Sequence, residues 1–361
     1  MLAIGLMSGT SLDGIDAALI ETDGEGAVRS IAFRGEAYTD AARAELAEAT
    51  RIALTYDRPR MSQELTAASD LVVRTHALAV HKLLREAGVQ PADVDVIGFH
   101  GQTVAHRPDR GWTWQIGDGA QLAAACGITT VSDFRSNDVA LGGQGAPLLP
   151  VYHDALTAGL SRPVAVLNLG GVANVTLAGA DGLLIAFDTG PANGLIDHWV
   201  EEATGARFDA DGALAAAGRV DQAVLTAMLD HPFFDAPAPK SLDRSDFTIQ
   251  PARGLSAIDG AATLTAFTAE TVALALRQLP ASPSRLIVAG GGRHNPTMLR
   301  MIAEATGLVP EPSDALGWNG DAMEAEGFAY MAVRSLRNLP ISFPGTTGVP
   351  EPATGGVIHR G

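Results

Sequence analysis

The side chains of this chain that could do chemistry stand beside glycines. Asp188 follows an apolar run, Leu183 to Phe187, and leads into Thr189-Gly190-Pro191-Ala192-Asn193, with Thr189 and Asn193 as polar neighbours. A carboxylate at a strand end can orient a hydroxyl or a water and accept its proton as a phosphoryl group moves. It could equally cap the helix expected from Gly194, and the residues alone leave both readings open. A second stretch, Gly5-Leu6-Met7-Ser8-Gly9-Thr10-Ser11-Leu12-Asp13-Gly14-Ile15-Asp16, joins apolar Met1 to Ile4 to apolar Ala17 to Ile20. Strand, glycine-rich turn, strand is the expected arrangement. Amides and hydroxyls in such a turn can converge on an anion. Asp13 and Asp16 would repel a bare phosphate but suit one carried with magnesium. An ordinary hairpin with a polar tip fits the same pattern.

Three further groups carry equally plain alternatives. His100, in His100-Gly101-Gln102-Thr103, could contact a substrate or hydrogen-bond its own loop. Arg135 could grip a substrate carboxylate in bidentate fashion, or pair with Asp133 or Asp138. Glu324 sits one turn after Asp321 on an expected helix, where acidic residues commonly face water. His106, His153, His294 and His359 show no metal-ligand spacing. Glycine-bearing turns follow apolar strands at Gly9, Gly170, Gly190 and Gly290, and four in matching positions weigh more than one. At Gly290-Gly291-Gly292 the strand opens into a helix, leaving room for a flat base or ribose, with free amides at the helix start.

Positioning these residues requires strands backed by helices. With 361 residues, two domains are the default. Strands are expected at Val28 to Phe33, Val94 to Phe99, Trp114 to Ile116 and Thr129 to Ser132, and helices at 41–52, 62–87 and 119–126. The uncharged segment Gly142-Gly143-Gln144-Gly145-Ala146-Pro147 marks the expected boundary. Beyond it Pro163 to Leu169, the turn Gly170-Gly171, Asn174 to Leu177 and Leu183 to Phe187 repeat the opening meander. Helices at 194–204, 261–279, 296–304 and 321–336 and a strand at Arg285 to Ala289 complete the reading. The expected domains are 1–141, joined by part of 321–361, and 142–320. Their turns would face one another across a cleft able to close on a nucleotide.

Composition excludes several classes. A net charge of −16 argues against a nucleic-acid or anionic-membrane surface. The single cysteine, Cys126, cannot form an internal disulfide or a cysteine zinc site, and its apolar setting predicts a buried, inert thiol. The start has no basic n-region, and no stretch reads as a membrane span, so a cytoplasmic protein is expected.

The motifs in combination resemble anhydro-N-acetylmuramic acid kinases. The resemblance rests on residues 5–16, Phe99-His100-Gly101-Gln102-Thr103, Ser132-Asp133-Phe134-Arg135 and 142–147. It continues through Asn168-Leu169-Gly170-Gly171-Val172-Ala173-Asn174, Phe187-Asp188-Thr189-Gly190-Pro191, Gly290-Gly291-Gly292-Arg293-His294-Asn295 and Asp321-Ala322-Met323-Glu324-Ala325. It implies the two-domain α/β fold of the sugar kinase, Hsp70 and actin superfamily, with a duplicated meander-and-helix core. It further implies ATP- and magnesium-dependent conversion of 1,6-anhydro-N-acetylmuramic acid to N-acetylmuramic acid 6-phosphate, in cell-wall recycling in the bacterial cytoplasm. Asp188 would activate water. Gly9, Thr10, Ser11, Leu12, Asp13, Gly14, Ile15 and Asp16, with Gly170 and Gly171, would hold ATP phosphates. Gly290, Gly291, Gly292 and Asn295 would border the nucleoside. His100, Gln102, Thr103, Arg135 and Glu324 would lie near the sugar. The partners would be that amino sugar and ATP, and a homodimer is compatible with the chain. A kinase of the same fold acting on an ordinary sugar hydroxyl, and an ATP-binding scaffold, are the rivals. Two departures stand out. Met7 and Asn168 replace the Asp common at the start of the superfamily's first turn, which leaves the magnesium ligand open, with Asp13 through water as the candidate. In the Lys240 loop, Ser241-Leu242-Asp243-Arg244 stands where Ser-Thr-Gly-Arg is expected.

Overall fold

The structure, a computed structural model, describes residues 1–242 and 246–361. Asp243 and Arg244 of the variant loop therefore lie outside the described residues. The chain opens with β1 (Leu2–Ser8), β2 (Gly14–Thr22), β3 (Val28–Ala37), α1 (Asp40–Ala53) and α2 (Gln63–Ala87). It continues through β4 (Val96–Arg107), β5 (Trp112–Ile116), α3 (Gly119–Cys126), β6 (Thr130–Ser132), α4 (Ser136–Ala140) and α5 (Pro150–Leu156). Then come β7 (Val164–Leu169), β8 (Val172–Ala178), β9 (Leu184–Pro191), α6 (Asn193–Thr204), α7 (Ala213–Ala217), α8 (Gln222–Leu229) and α9 (Pro232–Asp235). The last elements are α10 (Ala257–Gln278), β10 (Arg285–Ala289), α11 (Pro296–Thr306), β11 (Pro310–Pro312), α12 (Met323–Leu336) and β12 (Val357–His359).

Two compact units result, one of residues 1–158 with 322–361 and one of residues 159–321. Residues 142–158 belong to the first, where the Gln144 amide donates to Thr347 O at 2.7 Å and Tyr152 OH donates to Glu326 at 2.6 Å. The first unit's sheet runs β12-β6-β4-β1-β2-β3, with β5 added to β4; the second runs β11-β10-β7-β8-β9. Without β12 and β5 the two orders coincide. In each, an antiparallel meander is continued by two parallel strands. The expected α/β class with a duplicated core is what the chain forms.

In the first unit α2 starts at Ser62, whose hydroxyl accepts from the Leu65 amide, and ends at Gly88 in the left-handed region. Its Leu65, Val72, Val80 and Leu83 recur at helical spacing and pack with Ile4, Leu6, Leu19 and Phe99 of the sheet. Each such side chain contributes about 1.5–3 kcal/mol by leaving water. The opposite face takes α12 at backbone contact: a Cβ on Gly5 would stand 1.7 Å from Ala325 O, and one on Gly98 2.0 Å from Phe328 O. In the second unit Phe267 and Val272 of α10 and Ile302 of α11 close over Leu167, Val175 and Phe187.

Several elements run further than the sequence pattern predicts. β1 extends through Ser8, so the turn is only Gly9 to Asp13. β4 continues through His100 to Arg107, where a turn is expected after Phe99. Its first half lies parallel to β1 and β6 and its second half pairs with β5; Gly101, at φ 72°, makes the bend between them. β9 likewise continues through Asp188 to Pro191, held by pairing to β8. The short helices between 213 and 235 carry no pattern long enough to announce them.

Candidate active site

The first unit gathers one group of candidates around the end of β1. The turn Gly9–Asp13 places Thr10, Ser11 and Asp13 at the surface, with Leu12 at φ 57°. Ser11 Oγ donates to Asp13 Oδ1 at 2.6 Å, and the Leu12 amide donates to Gly9 O at 3.2 Å. Gly14, Ile15 and Asp16 lie in β2, with Ile15 buried. Gln102 is fully buried; its Nε2 donates to Gly9 O at 3.2 Å and its Oε1 accepts from Ser8 Oγ at 2.6 Å. Gln102 thus fastens the turn from below. Thr103 Oγ1 accepts from Gln115.

Arg135 precedes α4 and faces His100. Its Nε and Nη2 both point at His100 Nε2, at 3.2 and 3.1 Å, and its Nη1 donates to Gly145 O at 2.7 Å. His100 Nδ1 lies 2.9 Å from Gly101 O, which makes it the donor and Nε2 the acceptor. Burial, and then the charge of Arg135, push His100 well below the usual imidazole range, so the ring is a neutral acceptor. Burial lowers Arg135 to about 10, opposed by Glu324 and Asp138, and it remains a cation at neutral pH. Glu324 is half-buried in the first turn of α12. Burial raises its carboxyl, Arg135 lowers it and Asp13 raises it again, so the three charges share one neighbourhood.

In the second unit Asp188 faces Asn174 across β8 and β9. It does not cap α6, whose N-cap is Ala192 with no side-chain bond. Nor are Thr189 and Asn193 its partners: Thr189 Oγ1 donates to Ala173 O and Asn193 Nδ2 to Leu169 O. Asp188 Oδ2 accepts the Leu242 amide at 2.8 Å, and the Asp188 amide donates to Lys240 O at 3.0 Å. Lys240 itself donates to Phe233 O at 2.9 Å and lies over the Phe233 ring. Burial pushes the Asp188 carboxyl up to about 7, with the Leu242 amide pulling the other way. A half-buried carboxylate that exchanges its proton near neutrality has the acidity a general base needs.

The turn Gly170-Gly171 is engaged by backbone: Gly170 O accepts from the Asn193 amide at 3.0 Å, and Gly171 O from those of Ala192 and Gly194. The Gly290 loop leads into a cavity of about 340 Å³ lined by Asn193, Ile196, Asp197, Phe208, Asp209, Ala210, Asp211, Gly291, His294 and Asn295. Gly291 is exposed there. Gly292 is buried on Leu169, and Asn295 caps α11 by accepting from Met298 at 2.9 Å. Buried Arg293 locks the loop through Asp314 and Asp321, each at 2.8 Å. Sequence reasoning missed Asp197 and Asp209. Burial, reinforced by Asp209, raises Asp197 to about 6, while Asp209 accepts from the Leu214 and Ala215 amides. Asp209 stands four residues before the helix it serves, and no ordinary N-cap spacing announces it. Among the described residues no three His, Cys, Asp or Glu side chains gather as a metal cage, and no helix is long and apolar enough to cross a membrane.

The family model for anhydro-N-acetylmuramic acid kinase (AnmK) matches residues 1–361. An anhydro-N-acetylmuramic acid kinase of Rhizorhabdus wittichii is 71% identical over 361 residues, covering 100% of this chain and 99% of its own. One from Zymomonas mobilis is 56% identical over 363 residues, at 99% and 100% coverage. Among solved structures, component A of (R)-2-hydroxyglutaryl-CoA dehydratase from Acidaminococcus fermentans superposes with a TM-score of 0.50 at 13% identity, covering 93% of this chain and 99% of that one. That likeness concerns the fold.

Proposed function

The chain belongs to the anhydro-N-acetylmuramic acid kinase family and is an ATP-using sugar kinase; on that premise we propose that it opens 1,6-anhydro-N-acetylmuramic acid with water and phosphorylates O6. Asp188 takes the proton of a water whose oxygen attacks C1. The C1–O6 bond breaks, O6 forms its bond to the γ-phosphorus of ATP, and the bond to ADP breaks. The Asp188 proton then passes to solvent, and the products are N-acetylmuramic acid 6-phosphate and ADP. The observation that carries this reading is the Asp188 carboxyl, half-buried, anchored through one oxygen by the Leu242 amide and raised to about 7.

The second unit's cavity suits the nucleoside. It presents amides and carboxylates, and among the described residues no Lys or Arg lines it, so it favours hydroxyl and amino donors over phosphate. Gly291 offers backbone to a ligand without a side chain in the way. The first unit's turn suits phosphate oxygens through its exposed Thr10 hydroxyl, while Ser11 spends its proton orienting Asp13. Magnesium, held largely by phosphates and water, needs few protein ligands, and the exposed Asp13 carboxylate fits that part. When bound, it would neutralise charge on the phosphates. Arg135 and Glu324 address the sugar, Arg135 through its lactyl carboxylate. The setting is cell-wall recycling in a bacterial cytoplasm. A coupled ADP-release assay with MgATP and this sugar tests the proposal; turnover of unbridged amino sugars but not of the anhydro sugar would refute it.

A further inference from the structure

Between α4 and the first unit's C-terminal segment lies a buried carboxylate without a part in the proposed chemistry. Asp138 is 2% exposed. Its Oδ1 accepts the Gly145 amide at 2.6 Å and its Oδ2 accepts the hydroxyl of buried Thr347 at 2.5 Å. Its own carbonyl accepts the Gly143 amide at 2.9 Å, and Thr347 O accepts the Gln144 amide. The loop fits so closely that a Cβ on Gly143 would lie 2.3 Å from Asp138 Oδ1, and Gly145 takes φ 69°.

The Gly145 residue is therefore gripped at both polar groups. Its N–H goes to Asp138 and its carbonyl receives Arg135 Nη1, from side chains that flank one turn of chain. Arg135 spends Nε–H and one Nη2–H on His100 and one Nη1–H on Gly145, which leaves one N–H on each Nη for a ligand. How that remaining pair points depends on where the Gly145 carbonyl stands, and Asp138 anchors the Gln144–Gly145 peptide that leads directly into it.

We propose that Asp138 is a positioning residue for sugar binding: it anchors the Gln144–Gly145 peptide, and through it the adjoining Gly145 carbonyl that sets the orientation in which Arg135 meets the substrate carboxylate. This deepens the reading of Arg135 given above and rests on it. Steady-state kinetics of Asp138→Ala and Asp138→Asn in the full chain, with each substrate varied in turn, test it. Asp138→Ala should raise KM for the anhydro sugar by about 10- to 100-fold and leave KM for ATP within about twofold. Asp138→Asn keeps an oxygen for the Gly145 amide, and the Thr347 hydroxyl can turn to accept from the new amide. It should bring the sugar KM back to within about threefold of wild type. An unchanged sugar KM in Asp138→Ala, or both KM values rising together, overturns the proposal. If Asp138→Ala gives no cooperative melt, Thr347→Val replaces it: a rise of about threefold in sugar KM alone supports the proposal, and no change overturns it. Failure of the wild-type chain to use this sugar would overturn the functional reading as well, and is distinguished by appearing before any substitution.

Discussion

The turn between β1 and β2 and the turn between β7 and β8 occupy equivalent places in two matching sheets, yet their polar groups go different ways. In the first, Thr10, Ser11 and Asp13 stand at the surface, and the turn is held from below by Gln102. In the second, the carbonyls of Gly170 and Gly171 receive the amides that begin α6, the helix that brings Asn193 and Asp197 to the cavity. One turn leaves polar side chains at the surface, and the other spends its carbonyls on a neighbouring helix. The two sheets thus share a strand order, while their turn residues make different contacts. The carboxyl proposed as the base follows the same division: Asp188, half-buried and raised to about 7, belongs to the second unit's meander.

The strongest way to break this comparison is to neutralise Asp188. Asp188→Asn should lower kcat by about 10³- to 10⁴-fold with ATP affinity retained, read by single-turnover kinetics and nucleotide titration. The same group sets a pH profile. Its charged form is the base, so kcat/KM should fall about tenfold per pH unit below about 7 and level off above it. A flat profile from pH 5 to 8, on a roughly fixed ionic strength, would remove the base assignment.

Glycine substitutions sharpen the contrast further. Gly290 has φ 75°, and a Cβ there would stand 2.4 Å from Asn168 Oδ1, so Gly290→Ala should cost about 2 kcal/mol of stability in a denaturant melt. At Gly9 the nearest atom to a Cβ would be Ser11 Oγ at 3.4 Å. Gly9→Ala should therefore melt like wild type yet raise KM for ATP by about tenfold, because the added methyl meets the ligand and not the fold. The smallest effect belongs to Ser11→Ala, about threefold in the same constant, through the lost hydrogen bond that orients Asp13.

Much of this is legible in the sequence alone. The opening meander, its recurrence at Pro163, α2 between Ser62 and Gly88, and buried Cys126 follow from apolar spacing and caps that act locally. What escaped depends on long-range pairing. β4 runs past Phe99 because β5 supplies a new partner, and no local signal in His100-Gly101-Gln102 distinguishes that from a turn. His100 and Gln102, read as substrate contacts, use their polar atoms on Arg135, Gly9 and Ser8. Asp138 was visible only as one of two partners for Arg135, because its true donors lie at Gly145 and Thr347. The cavity wall at Asp197 and Asp209 joins segments whose proximity the fold alone creates.

The first unit is discontinuous: α12 and β12 complete it after the whole of the second has intervened. On the ribosome the consequence is an order of events. Residues 159–321 are synthesised as an uninterrupted stretch and can collapse once α11 and β11 have emerged. The earlier-made β1 and β4 must wait with the Gly5 and Gly98 face uncovered until α12 arrives. The half that is translated first is the half that finishes last, and during that interval its uncovered sheet face is apolar surface open to aggregation and to chaperones.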